Sequence, residues 1–73
     1  MMDRNQLEQL GNELRGIGHR RRELAEQIFN EVEEGDSRSS KELFKELSSI
    51  SEKAISLMTE QKRIFDEEVQ RLS

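Results

Sequence analysis

The side chains that could perform nucleophilic, acid–base or metal chemistry are few in this 73-residue chain. It contains one histidine, His19, and no cysteine, so one chain cannot build a disulfide, a thiolate metal site or a multi-histidine site. By residue type, the candidate nucleophiles are Ser48, Ser49, Ser51 and Ser56. A serine hydroxyl is a weak nucleophile without an activating base, and no such constellation is evident. We therefore predict no catalytic residue, no cofactor and no metal site, and we interpret His19 as an exposed side chain.

The one local concentration of positive charge is the segment 19–22, which reads HRRR. Arginine binds phosphate, so a nucleic-acid-binding hairpin is an alternative function, and its candidate contacts are Arg15, Arg20, Arg22 and Arg38. Four consecutive helical residues point in different directions, and no aromatic side chain lies among them to stack on a base. The net charge of −4 also disfavours attraction to nucleic acid or to an anionic membrane. A solvated, ion-paired face is the favoured interpretation.

The segment 21–28, RRELAEQI, resembles the arginine-rich stretch in the first helix of the helical chorismate mutases. Those enzymes carry a catalytic lysine further along that helix, at a position where this chain has Val32. The chain is also short for their usual third helix, and a hairpin offers no enclosed pocket of the size that small-molecule sites need. The prediction is therefore a protein that is not an enzyme and has no small-molecule substrate.

The spacing of apolar residues indicates two helices. Intervals of three and four residues separate Leu7, Leu10, Leu14, Ile17, Leu24 and Ile28, and again Leu43, Leu47, Ile50, Ala54, Leu57 and Ile64. This is the heptad spacing of coiled-coil seams, in which positions a and d face the partner helix. With Leu7 and Leu47 as a positions, Arg21 and Gln61 fill the places that the apolar residues skip.

Residues at the helix ends predict where each helix starts and stops. Asp3 suits an N-cap, Gly35 suits a left-handed C-cap, and Ser39 with Glu42 makes a second capping box. We predict a single helical hairpin over 1–73, with helices at about 3–34 and 40–72 joined by a loop at about 35–39.

The loop position predicts a register in which paired residue numbers add up to 76–78. At the e positions along one flank, the pairs are then Gly11 with Phe65, Gly18 with Met58, Ala25 with Ser51, and Val32 with Phe44. Small residues would meet mostly large ones, which gives the two glycines a packing role. The alternative is that the glycines mark a break, and Gly16 with Gly18 would then kink the first helix.

Arg21 and Gln61 interrupt the seams in adjacent layers of this register. One hypothesis is a buried polar pair that specifies the register or the oligomeric state. The alternative is that Arg21 extends its guanidinium outward to Glu60 or another carboxylate nearby.

A hairpin leaves apolar surface uncovered at positions b and e. We use the name apolar strip for Phe29, Phe44, Ile55, Met58, Phe65, Val69 and Leu72. An exposed strip of this size marks an interaction surface, and a chain this short rarely builds a sufficient core alone. We therefore predict an all-α, antiparallel, coiled-coil-like hairpin that completes a four-helix bundle, either as a homodimer or with a helical hetero-partner.

The predicted function is a protein–protein interaction module, such as a small adaptor, chaperone, regulator or inhibitor, that acts through the apolar strip. No run of apolar residues is long enough for a membrane span or a signal-peptide core. A cytoplasmic location is therefore the expectation.

Overall fold

The computed structural model describes residues 3–72 of the chain, and it folds them into two helices. Helix α1 spans Arg4–Glu34 and helix α2 spans Ser37–Leu72. They pack against each other as a rod measuring 55 × 16 × 14 Å, and residues 3–72 contain no strand. The all-α class and the packing of two helices on each other are therefore confirmed.

Both ends of α1 are closed by the residues predicted to close them. Asp3 Oδ1 accepts a hydrogen bond from the backbone N–H of Gln6 at 3.1 Å, which pairs a donor that the first helical turn leaves open. Gly35 adopts a φ of +79°, a left-handed conformation that costs other residues about 1–2 kcal/mol. The N–H of Asp36 then donates to the carbonyl of Glu31 at 2.9 Å, which completes a Schellman turn.

Helix α2 begins three residues earlier than the predicted start at residue 40, because Asp36 replaces Ser39 as its cap. Asp36 Oδ1 accepts a hydrogen bond from the backbone N–H of Ser39 at 3.0 Å. The residue predicted to cap the helix thus lies in its first turn and acts as the donor. Only Gly35 and Asp36 remain between the helices, so the loop is shorter than the predicted 35–39.

The shorter loop shifts the register by one heptad from the predicted one. Glu34 and Ser37 lie at the same height, and counting back along both helices brings Leu24 level with Leu47. The cross-helix hydrogen bond from Arg21 Nε to Ser51 Oγ, at 2.9 Å, agrees with this register, whereas the predicted one paired Ser51 with Ala25. A shift of seven residues keeps each side chain on its face and changes only its partner.

The core is narrow and lies on the predicted a and d seams. Within residues 3–72 the buried apolar side chains are Leu10, Leu24, Ala54 and Ile64. Leu24 is fully buried, while the remaining apolar a and d residues are half-buried. A single layer of contacts between two helices leaves most seam residues with one side near water.

The predicted packing of the α1 glycines against large α2 residues is wrong. A Cβ added at Gly11 or Gly18 would meet no side chain of the described residues within 4 Å. Phe65 and Met58, their predicted partners, remain 44% and 48% exposed, because the heptad shift moves both along α1. The alternative of a break at the glycines is also wrong, since α1 continues as one helix through Gly16 and Gly18.

Candidate interaction surface

All seven residues of the apolar strip are exposed, from 44% at Phe65 to 87% at Leu72. Val32, the predicted partner of Phe44, is also 62% exposed and extends the strip near the turn. The e-position repeat that contains Phe44 also contains Val32, so this signal was present in the sequence. Together these are all the large apolar side chains that the described residues expose.

The exposed apolar residues share one face because they occupy only the e and b positions. In a helix these positions lie beside each other, next to the a and d residues that contact the other helix. On α2 the spacing of three, seven, four and three residues forms a second heptad seam, which consists of Ile55, Met58, Phe65, Val69 and Leu72. Lys62 fills the skipped position. Helix α2 therefore presents one seam to α1 and a second seam outward.

Near the turn, the strip contains an open groove between the two helices. The groove has a volume of about 540 Å³ and is lined by Ile28, Val32, Ser40, Lys41, Phe44 and Lys45. Its lining comes from both helices and includes two lysines. A large apolar side chain from a partner helix could enter here, with a carboxylate beside it to pair with either lysine.

The opposite flank is polar and carries an ion pair between the helices. Arg20 Nε donates to Glu46 Oε2 at 2.6 Å, and the Arg20 guanidinium also contacts Glu23 at 3.3 Å. The hydrogen bond from Arg20 lowers the pKa of Glu46 below its ordinary value and raises the pKa of Arg20. Since both side chains are substantially exposed, this ion pair adds little to the stability of the fold.

The four arginines of the nucleic-acid alternative do not converge on one site. Arg20 is held by carboxylates, and Arg22 lies 3.6 Å from Glu26. Arg38 is beside the turn, whereas Arg15 lies 19 residues before the end of α1, which is about 28 Å along a helix. A phosphate backbone would therefore meet separate charges, two of them already paired, rather than a continuous basic stripe.

Arg21 and Gln61 do not form the buried polar pair of the first hypothesis. Arg21 is exposed and Gln61 is half-buried, and no polar residue is buried within the described range 3–72. Arg21 also does not reach Glu60, which instead pairs with Arg63. The register explains this, because Gln61 lies level with Leu10, far along the rod from Arg21.

Two carboxylates at the turn have shifted pKa values of opposite sign. The backbone hydrogen bond from Ser39 lowers the pKa of Asp36. Burial, and then the negative charges of Asp36 and Glu34, raise the pKa of Glu31. The surroundings at the turn thus favour the charged form of Asp36 and disfavour the charged form of Glu31.

No protein-family model, curated protein or solved structure matches this chain. Across residues 3–72, no group of three or more histidine, aspartate or glutamate side chains is placed to hold a metal ion. Neither helix, as far as its residues are described, combines the length and apolarity that crossing a membrane requires.

Proposed function

We propose that this chain is a helical interaction module that binds amphipathic helices of protein partners through the apolar strip. One observation carries the proposal: every large exposed apolar side chain of the described hairpin lies on one face, while four residues form its buried core. Such a module would work as a small adaptor, chaperone, regulator or inhibitor, by covering an apolar helix face of its partner.

The amount of exposed surface supports an extensive partner interface. The chain exposes 5935 Å², whereas a compact monomer of 8.6 kDa exposes about 4,700 Å². The difference of roughly 1,200 Å² exceeds the ~800 Å² that each partner of a standard interface covers. A rod-shaped hairpin therefore has enough surplus surface to seat one or two helices.

The strip also has the geometry that helix binding requires. The outward seam of α2 repeats at intervals of three, four and seven residues, which match the anchor positions of an amphipathic helix. Helix α1 lies along one side of this seam, and the groove lies at its turn end. The apolar lining means that binding depends on surface burial, so added salt should change the affinity little.

The test uses a labelled synthetic peptide of leucine, glutamate and lysine designed as an amphipathic helix, with binding followed by fluorescence anisotropy. Met58→Asp and Phe65→Asp should each abolish binding, because a charge would be buried in the strip. Ser56→Asp is the matched control, since Ser56 is exposed two residues before Met58 but lies on the far face, outside the strip, and it should leave the affinity unchanged. Circular dichroism checks that each variant remains helical. Binding that survives both strip substitutions would contradict the proposal.

The nucleic-acid alternative predicts the opposite responses in the same assay with an RNA or DNA duplex as probe. Binding through arginines should weaken steeply as salt is added, and Arg20→Glu or Arg22→Glu should reduce it. Met58→Asp should have no effect. Tight, salt-sensitive duplex binding that is indifferent to the strip would favour this alternative over the interaction module.

A further inference from the structure

We infer that the occupant of the apolar strip is a second copy of this chain, in a four-helix bundle with both turns at the same end. The inference rests on the proposed function of the strip and specifies the partner. Two hairpins facing each other across a two-fold axis parallel to the rod place α1 of each copy on α2 of the other. Every helix then lies between two antiparallel neighbours, as in an up-and-down bundle.

Symmetry determines the register of this dimer without any adjustable shift. A two-fold rotation about the rod axis involves no translation along it, so each α1 stands at the same height in both copies. A residue of α1 therefore meets, on α2 of the other copy, the residues that lie level with it in its own hairpin. The heptad positions then place e and b in the contact and f at its outer rim.

Two of the five pairs of f positions at this rim join opposite charges, and both lie in the half of the rod near the turn. Glu26 of one copy lies level with Lys45 of the other, and Glu33 lies level with Arg38. The remaining facing positions pair His19 with Glu52, Asn12 with Thr59, and Asn5 with Asp66. No like charges face each other, and each pair occurs twice because of the symmetry. Such complementarity along an interface determines which arrangement forms.

Several of these charges lack an ionic partner within one hairpin. Arg38, Lys45 and Glu33 form no ion pair among the described residues. Glu26 contacts only Arg22, at 3.6 Å, with both side chains mostly exposed. The dimer supplies an opposite charge to each of them, so the rim pairs do not require existing contacts between the helices to break.

The sizes of the facing residues agree with the same arrangement. Open space lies above Gly11 and Gly18. Near the height of Gly11, α2 of the other copy presents Met58 and Lys62, and near that of Gly18 it presents Ser51 and Ile55. At the turn end, Phe29 of one copy meets Phe44 of the other. With the turns at opposite ends, α1 would instead lie on α1 and α2 on α2.

The first experiment uses the full chain and its lack of cysteine. In Asn12→Cys/Thr59→Cys, the two thiols of one hairpin point away from each other, whereas Asn12 of one copy is level with Thr59 of the other. Mild oxidation should therefore yield a covalent dimer, resolved by denaturing electrophoresis. Gly16→Cys/Ser56→Cys is the control, because these exposed positions share a similar height but lie on the far face, and it should form no covalent dimer under the same conditions.

The second experiment measures the dimer dissociation constant by sedimentation equilibrium. Glu26→Lys and Lys45→Glu should each weaken association roughly tenfold, since two attractions per dimer become repulsions of the size measured for exposed pairs. The double variant should restore the wild-type constant. Both residues are exposed, so circular dichroism should show unchanged helicity in all three proteins.

The possible results distinguish a failure of the dimer from a failure of the proposed interaction module. A chain that stays monomeric at every concentration, yet binds the amphipathic peptide through Met58 and Phe65, overturns the dimer and retains the interaction module. A dimer that tolerates Met58→Asp overturns both. A dimer that needs the strip, but in which the Asn12→Cys/Thr59→Cys variant forms no disulfide between copies, overturns the arrangement with both turns at one end.

Discussion

The same substitution, glycine to alanine, should have opposite effects at Gly16 and Gly35. A Cβ added at either position meets nothing within 4 Å among the described residues, so packing does not distinguish them. The backbone does: Gly16 lies within α1, whereas Gly35 has a φ of +79°. Gly16→Ala should therefore stabilise the hairpin and Gly35→Ala should destabilise it.

The magnitudes follow from the backbone conformations alone. Alanine in a helix interior is favoured over glycine by about 0.8–1.0 kcal/mol, partly because it restricts the unfolded chain. In the left-handed region an alanine Cβ crowds the carbonyl oxygen and costs about 1–2 kcal/mol. For a domain of this size, 1 kcal/mol corresponds to a shift of roughly 4–8 °C in Tm. The two variants should therefore differ in Tm by about 10 °C or more.

Thermal unfolding monitored by circular dichroism measures this difference, with the chain concentration held constant because any association raises Tm with concentration. The double variant should return close to the wild-type Tm, since the sites are far apart and their effects add. A decrease in Tm for Gly16→Ala would show that the space beside that residue is filled, and an increase for Gly35→Ala would refute the left-handed turn.

Three further predictions concern the core and the turn. Leu24→Ala should lower the free energy of unfolding by about 2–5 kcal/mol, the range for a fully buried leucine. At urea concentrations where the wild type is still folded, this variant should be largely unfolded. The exposed control Ser49→Ala should unfold at the same urea concentration as the wild type. Asp36 has a lowered pKa, so its stabilising effect exists above its ordinary pKa and disappears as the pH falls through the lowered value. Asp36→Ala should thus reduce Tm at neutral pH but not in strong acid; an equal reduction at both would contradict the role of its charge. Glu31 has a raised pKa, so its contribution exists below its ordinary pKa and disappears as the pH rises through the raised value. Glu31→Gln should then raise Tm at neutral pH and have no effect in acid, and a lower neutral Tm would count against burial as the cause.

The faces of both helices could be predicted from the sequence, because each heptad places its apolar residues independently of the partner. Leu10 and Leu24 on α1, and Ala54 and Ile64 on α2, were assigned to the seams and are the buried residues. The same periodicity separated the e and b residues, so the exposure of the apolar strip followed from its heptad positions.

The register could not be predicted in this way, because it depends on a choice between two adequate caps. Asp36 and Ser39 both have side chains that accept a hydrogen bond from the first turn of a helix. The Schellman turn resolves the choice, since it directs the N–H of Asp36 to Glu31 and begins α2 directly afterwards. Local residue types do not report that geometry. A heptad shift also leaves every residue on its predicted face, so the periodicity cannot reveal the error.

The two-residue turn also sets the order in which the hairpin can fold. Side chains near Gly35 meet after closing a short loop, whereas Leu10 and Ile64 enclose roughly 50 residues, a longer closure with a higher entropic cost. Folding should therefore start at the turn and proceed toward the open end, each layer shortening the loop that the next must close. Substitutions at the turn would slow folding, while those near Leu10 and Ile64 would mainly speed unfolding. Gly35, which ends α1, thus lies where the packing of the two helices begins during folding.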